Sequence, residues 1–212
     1  MLDSTHEPIN PESSDPSRDI RAVRADQARC RRNGRAAQAF VDEMFDRRSR
    51  CLVLFLTVNY QKKHREDITL PTIQRHRDLF FRQIERASSG VLSEIDACLW
   101  RLEEGEDTGG LHLHLLIFYS GRYRGDVRIA RSIGDHWVER TTRGWGDYYN
   151  SNANRSHYES RWGDGLGQVN RHDEQKREAL TQFMTEYMSK ATQVPSTRTN
   201  PHDRLFGIRR FF

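Results

Sequence analysis

Residues 97–119 read ACLWRLEEGEDTGGLHLHLLIFY, two apolar runs on either side of a Gly/Asp-rich linker. The runs Ala97–Glu103 and Leu111–Tyr119 are of strand length, and Glu104–Gly110 between them is built from turn-forming residues, so the stretch predicts a β-hairpin. Upstream, Cys51–Asn59 (CLVLFLTVN) is short, continuous and apolar, which predicts a strand covered on both faces. Between it and the hairpin, Pro71 opens a helix with Ile73, Leu79, Phe80 and Ile84 as apolar positions and Gly90 as its stop. Downstream, residues 126–141 predict a helix with a break near Gly134, and residues 167–171 a short strand. Residues 173–192 carry the best-formed stripe, Leu180, Phe183, Met184, Tyr187 and Met188, ending before Pro195. Residues 20–48 predict a helical lead-in with Ala37, Phe40, Val41, Met44 and Phe45 on one side. The order helix-β-α-β-β-α-β-α predicts an α+β sandwich, helices against a central, mostly antiparallel sheet.

The chain has 212 residues, 35% hydrophobic and 30% charged, with a mean hydropathy of −0.87. That is enough for one modest core and one domain plus a tail. The longest apolar run, Cys51–Leu56, is far short of the ~20 residues a membrane helix needs. The first residues are acidic and Pro/Ser-rich, unlike an export signal, so neither a membrane nor a secreted protein is expected. Cys30, Cys51 and Cys98 form no CxxC and are odd in number, which fits a reducing cytoplasm. A net charge of +4 and a pI near 9.1 permit a nucleic-acid partner. Charge is unevenly placed. Residues 1–19 hold five acids and one base and predict a disordered tail. Residues 21–35 hold six arginines against Asp26, either a solvated helix face or an arm that contacts phosphates.

His112 and His114 are two apart on a strand and therefore share a face, while Leu113 and Leu115 point the other way. Two imidazoles aimed together can chelate a divalent ion; solvent-facing histidines are the plain alternative. Antiparallel pairing brings Glu103-Glu104 close to His112, and either carboxylate completes a two-His, one-carboxylate set suited to Mg²⁺ or Mn²⁺. Alternation through Leu99, Arg101 and Glu103 favours Glu103. On the last helix, Tyr187 and Lys190 stand three apart and project from one face. The segment 143–165 has no periodicity and predicts a long loop. Its Trp145, Tyr148, Tyr149, Arg155 and Arg161 suit single-stranded nucleic acid, or else the loop packs its own aromatics.

In their order along the chain, FLTVN (Phe55–Asn59), LHLHLLIF (Leu111–Phe118) and YMSK (Tyr187–Lys190) resemble the three motifs of the HUH endonucleases. More narrowly, WRLEEG followed by GLHLHLLIFYSG is similar to the replication initiators of filamentous phages and prophages. The resemblance covers roughly residues 50–210 and makes residues 49–212 the endonuclease domain. Motif one reads TVNY, a mild variant. Phe183 stands where two-tyrosine initiators carry their second tyrosine, and residues 1–35 have no counterpart. The resemblance implies an RRM-like, ferredoxin-like sandwich and a Mg²⁺ or Mn²⁺ ion on His112, His114 and Glu103. It implies Tyr187 as nucleophile with Lys190 as its cation, and Thr57 and Asn59 among the DNA contacts. The expected reaction is nicking of single-stranded DNA or an origin hairpin in a bacterial cytoplasm, leaving a 5′-phosphotyrosyl link and a free 3′-hydroxyl for rolling-circle replication. No Walker motif is present, so a separate helicase is expected beside the host polymerase. The alternatives are a single-tyrosine transposase or relaxase, or a non-catalytic nucleic-acid-binding module.

Overall fold

Three strands of eleven residues form the centre of the molecule, each longer by a few residues than its apolar run. The computed structural model describes residues 16–105, 110–190, 194–196, 198, 200 and 203–212. In chain order the elements are α1 (Pro16–Arg47), β1 (Arg50–Tyr60), α2 (Leu70–Glu85), β2 (Ile95–Gly105), β3 (Gly110–Ser120) and α3 (Asp126–His136). There follow β4 (Gly146–Asn150), α4 (Arg155–Trp162), β5 (Gly167–Asn170), α5 (Glu174–Phe183) and β6 (Phe206–Arg210). All strand pairings are antiparallel, in the order β4-β1-β3-β2-β6. Strand β5 shares the free edge of β1 with β4, β5 opposite Arg50–Val53 and β4 opposite Leu56–Tyr60. The helix α2 thus carries the chain from β1 to a parallel β2, and β3 fills the gap between them.

Alternation along the strands divides the core in two. Leu52, Leu54 and Leu56 of β1, Trp100 and Leu102 of β2 and Leu113, Leu115 and Ile117 of β3 face α2 and α3. Their neighbours Val53, Phe55, Leu99, Leu116 and Phe118 face α1, α4 and α5. With helices on both faces, the strands need apolar residues at nearly every position, hence unbroken apolar runs. Helix α2 starts where expected: Thr69 Oγ1 accepts from Thr72 N at 3.4 Å, and Pro71 lies in the first turn. Cys51 and Cys98 are buried free thiols. No helix among the described residues is long and apolar enough to cross a membrane.

Three expectations need correction. The lead-in is one continuous helix from Pro16, so residues 16–19, expected in the acidic tail, are helical; residues 1–15 lie outside the described residues. Segment 143–165 is not a loop but contains β4 and α4. The unpaired edge of β1 supplies the partner for β4, and such long-range pairing leaves no local periodicity in five residues. Nor does Gly134 break α3. It is buried, and the Tyr148 ring of β4 lies against it while Tyr148 Oη donates to Asp135 Oδ1 at 2.8 Å.

A Cβ on Gly134 would fall 2.4 Å from Tyr148 Cδ2. Helix propensity alone makes Gly134→Ala stabilising by up to ~1 kcal/mol. Steric overlap with the ring reverses the sign, and we expect a net loss of roughly 1–3 kcal/mol in urea denaturation. A rise in the midpoint would show that Tyr148 swings away freely.

Candidate active site

On the face of the sheet covered by α1 and α5, the two central strands end in polar residues. Glu103 pairs directly with His112 across the β2–β3 ladder and Arg101 with His114, so four side chains meet on one face. Thr57 of β1 pairs with His114 from the other side. Glu103 Oε2 stands 3.0 Å from His114 Nε2 and 3.5 Å from His112 Nε2. One ligand atom from each of Glu103, His112 and His114 lies within 4.8 Å of the others, the one such cluster among the described residues. Glu104 turns elsewhere and accepts from the Ser196 backbone N–H at 2.5 Å, so the carboxylate beside the histidines is Glu103.

Hydrogen bonds behind the cluster fix the imidazoles. His112 Nδ1 donates to Gly110 O at 3.1 Å, and His114 Nδ1 is 2.9 Å from Thr57 Oγ1. With Nδ1 of His112 committed as a donor, a neutral ring presents its Nε2 lone pair to a carboxylate oxygen. That lone pair and the Glu103 anion facing each other require positive charge between them, a shared proton or a metal cation. The donor set therefore fits a divalent cation.

The electrostatics agree. Burial would raise the Glu103 carboxyl, but hydrogen bonds from His112 and His114, with the charges of His114 and Arg101, outweigh it and hold Glu103 at about 2. It is an anion throughout the neutral range. His114 is pushed down by burial, against the pull of Glu103, which favours the neutral, ligating form.

Tyr187 enters from the far end of α5. The helix widens there into a π-turn, Met184–Met188, a distortion that often marks functional positions. The phenol Oη comes to 3.4 Å from His114 Nε2, across 73 residues of sequence. Its ring stacks on Phe183 at 5.2 Å and meets the edges of Trp162 at 5.2 Å and Phe55 at 5.9 Å. Burial, and next the Glu103 carboxylate, push the phenol above its ordinary pKa. Lys190, three residues on, is exposed and lies over the Tyr187 ring, with Nζ 5.8 Å from its centre.

Arg101 is the participant that sequence reasoning missed. Only 4% exposed, it pairs with Glu103 through Nη2 and donates from Nη1 to the Tyr187 main-chain oxygen at 2.7 Å. One guanidinium thus ties the acidic ligand to the turn bearing the phenol. Its place two residues before Glu103 on the same strand face was the available signal. Removing it by Arg101→Met leaves a buried carboxylate without its permanently charged partner, and we expect a loss of ~3 kcal/mol or more. Added Mn²⁺ should recover part of that loss by replacing the missing charge, read as a rise in the urea midpoint.

The residues expected to contact DNA are dispersed. Thr57 orients His114 instead of facing outward. Asn59, next on the same strand face, has a buried Oδ1 with no hydrogen-bond partner among the described residues. Trp145 and Tyr149 are exposed, Trp145 stacked on His64 at 5.0 Å and Tyr149 Oη accepting from Asn154 Nδ2. Tyr148 packs inward. Arg155 is held by Asp126, Glu159 and Asp164, so it braces α4. Arg161 lies over the buried Trp162 ring at 4.8 Å. The expected stacking loop reduces to two exposed aromatics, since the strand and helix in this segment consume its other rings and Arg155. No protein-family model, curated protein or solved structure matches the chain.

Proposed function

We propose that this chain is a metal-dependent, tyrosine-using nickase and ligase of single-stranded DNA, an HUH endonuclease that initiates rolling-circle replication. Within the sheet, the order β4-β1-β3-β2 is that of a ferredoxin-like sandwich, the arrangement this reading requires. The observation that carries the reading is the convergence of three stretches far apart in sequence. Thr57, the His112–His114 pair with Glu103, and Tyr187 meet so that the phenol oxygen lies 3.4 Å from a histidine of the cluster. A half-buried tyrosine with its hydroxyl beside two imidazoles and a carboxylate is suited to phosphoryl transfer, where positioning and charge stabilisation dominate.

His112, His114 and Glu103 would hold Mg²⁺ or Mn²⁺, which when bound supplies Lewis-acid stabilisation of negative charge on a phosphodiester. Tyr187 Oη attacks phosphorus; the Oη–P bond forms as the bond to the 3′-oxygen breaks, and the phenol proton ends on the departing 3′-oxygen. The products are a 5′-phosphotyrosyl link and a free 3′-hydroxyl, and attack by a 3′-hydroxyl reverses the step and reseals the strand. Phe183, Trp162 and Phe55 limit the ring to one orientation, so ordering of the nucleophile precedes substrate binding. In a bacterial cytoplasm the 3′-end would prime a host polymerase behind a separate helicase.

The test is incubation of the full chain with single-stranded hairpin oligonucleotides in Mn²⁺, followed by denaturing electrophoresis and mass spectrometry. An adduct on Tyr187 is expected. An adduct mapped to Tyr148, Tyr149 or Tyr158 would overturn the assignment.

A further inference from the structure

Between α1 and the segment 203–206 lies a cavity of about 470 Å³, outside the metal cluster. Arg29 and Arg32 of α1 line one wall, and Lys190, Arg198 and Arg204 line the others, with Asp203 the one carboxylate among the described lining residues. Ala25 and Ala28, on the same side of α1, leave room between the arginines. Arg101 also lines the cavity and donates to the Tyr187 main-chain oxygen, and Lys190, another lining residue, lies over the Tyr187 ring.

The cavity is distinguished by the number of cations gathered around one cleft. In the cavity, Arg29 meets Asp26 and Arg198 donates to the main-chain oxygens of Asn200 and Asp203. Arg32, Arg204 and Lys190 meet no carboxylate among the described residues. Like charges gathered around one cleft repel unless an anion lies between them. Several cations along a cleft, two of them (Arg101 and Lys190) also in contact with Tyr187, match a phosphodiester chain better than a single small anion.

We infer that this cleft binds the sugar-phosphate backbone of single-stranded DNA beside the phosphate attacked by Tyr187. The inference deepens the proposed function and rests on it only for the identity of the strand. It also gives a role to one side of the arginine-rich stretch of α1, while Arg31 and Arg35 line a different part of the helix surface.

The experiment measures binding of the full chain to fluorescein-labelled dT20 by anisotropy, in EDTA so that no strand is cut, across a KCl series. Removing two phosphate contacts by Arg32→Ala with Arg204→Ala should lower the slope of log K against log salt by ~1.4. The pair Arg31→Ala with Arg35→Ala makes the same charge change on and near the same helix and should leave the slope unaltered. Equal slopes for the Arg32/Arg204 variant and the parent would overturn the inference, as would equal losses from the two pairs. Adduct formation by the parent chain in Mn²⁺ is scored separately. A slope change without an adduct defeats the nickase reading alone, and an adduct without a slope change defeats the cleft alone.

Discussion

Tyr187→Phe should reduce cleavage on the order of 10⁶-fold, to the limit of detection, and eliminate the covalent adduct, as removal of a nucleophile does in other covalent enzymes. The substitution deletes one oxygen and nothing else. The ring retains its stack on Phe183 and its edge contacts with Trp162 and Phe55. The lost hydrogen bond to His114 is long at 3.4 Å, so its contribution to stability is small, ~0.5 kcal/mol. Arg101 holds the Tyr187 main-chain oxygen, which the substitution leaves in place. Binding of single-stranded DNA and the urea midpoint should therefore stay near those of the parent. Residual cleavage with an adduct elsewhere would remove Tyr187 from the mechanism. A large fall in the midpoint would mean that the phenol is mainly a structural group.

The second large effect concerns the cluster. Replacing His112 and His114 together by Ala should abolish nicking in Mg²⁺ and Mn²⁺ alike, and calorimetric titration with Mn²⁺ should lose its binding signal. Excess EDTA should have the same effect on the parent, and full nicking in EDTA would end the metal model. Glu103→Gln, which keeps the shape but not the charge, should be far more damaging than Glu104→Gln, since Glu104 is occupied with the Ser196 amide. Thr57→Val gives a graded version. It removes the group that fixes Nδ1 of His114 and leaves every ligand in place, so Mn²⁺ affinity should fall by roughly 10–100-fold. An unchanged affinity would show that packing by Phe55, 5.7 Å away, suffices to orient the ring.

Much of the architecture was legible because it follows from local rules. Alternation with period two is set by the strand backbone, so His112 and His114 had to share a face, and Leu113 and Leu115 the opposite one. A Gly/Asp-rich linker between two apolar runs of strand length had to reverse the chain, and the resulting register placed Glu103 opposite His112. The same alternation favoured Glu103 over Glu104. Helical stripes marked α2 and α5 with their core residues, apart from Phe81, which is buried where the pattern pointed to Leu79. Those features depend on neighbours within a few residues, and the sequence carries them directly.

What the sequence could not decide depends on partners distant along the chain. Strand β4 exists because β1 has an unpaired edge, and its tyrosines look like a binding loop until Tyr148 is seen against Gly134. The turn that bears Tyr187 is a π-turn, a register change with no composition of its own. Arg101 carries no motif; its role arises from a carboxylate two residues away and a main-chain oxygen 86 residues on. The meeting of Tyr187 with His114 requires α5 to pack across β1 and β3 through Phe183, Phe55 and Trp162, a contact between surfaces that form only after the sheet does. The sequence by itself determined the chemical groups and the faces they occupy, because backbone geometry fixes side-chain direction over short spans. Tertiary structure decided which groups meet, because that is set by the packing of apolar surfaces contributed from the whole chain.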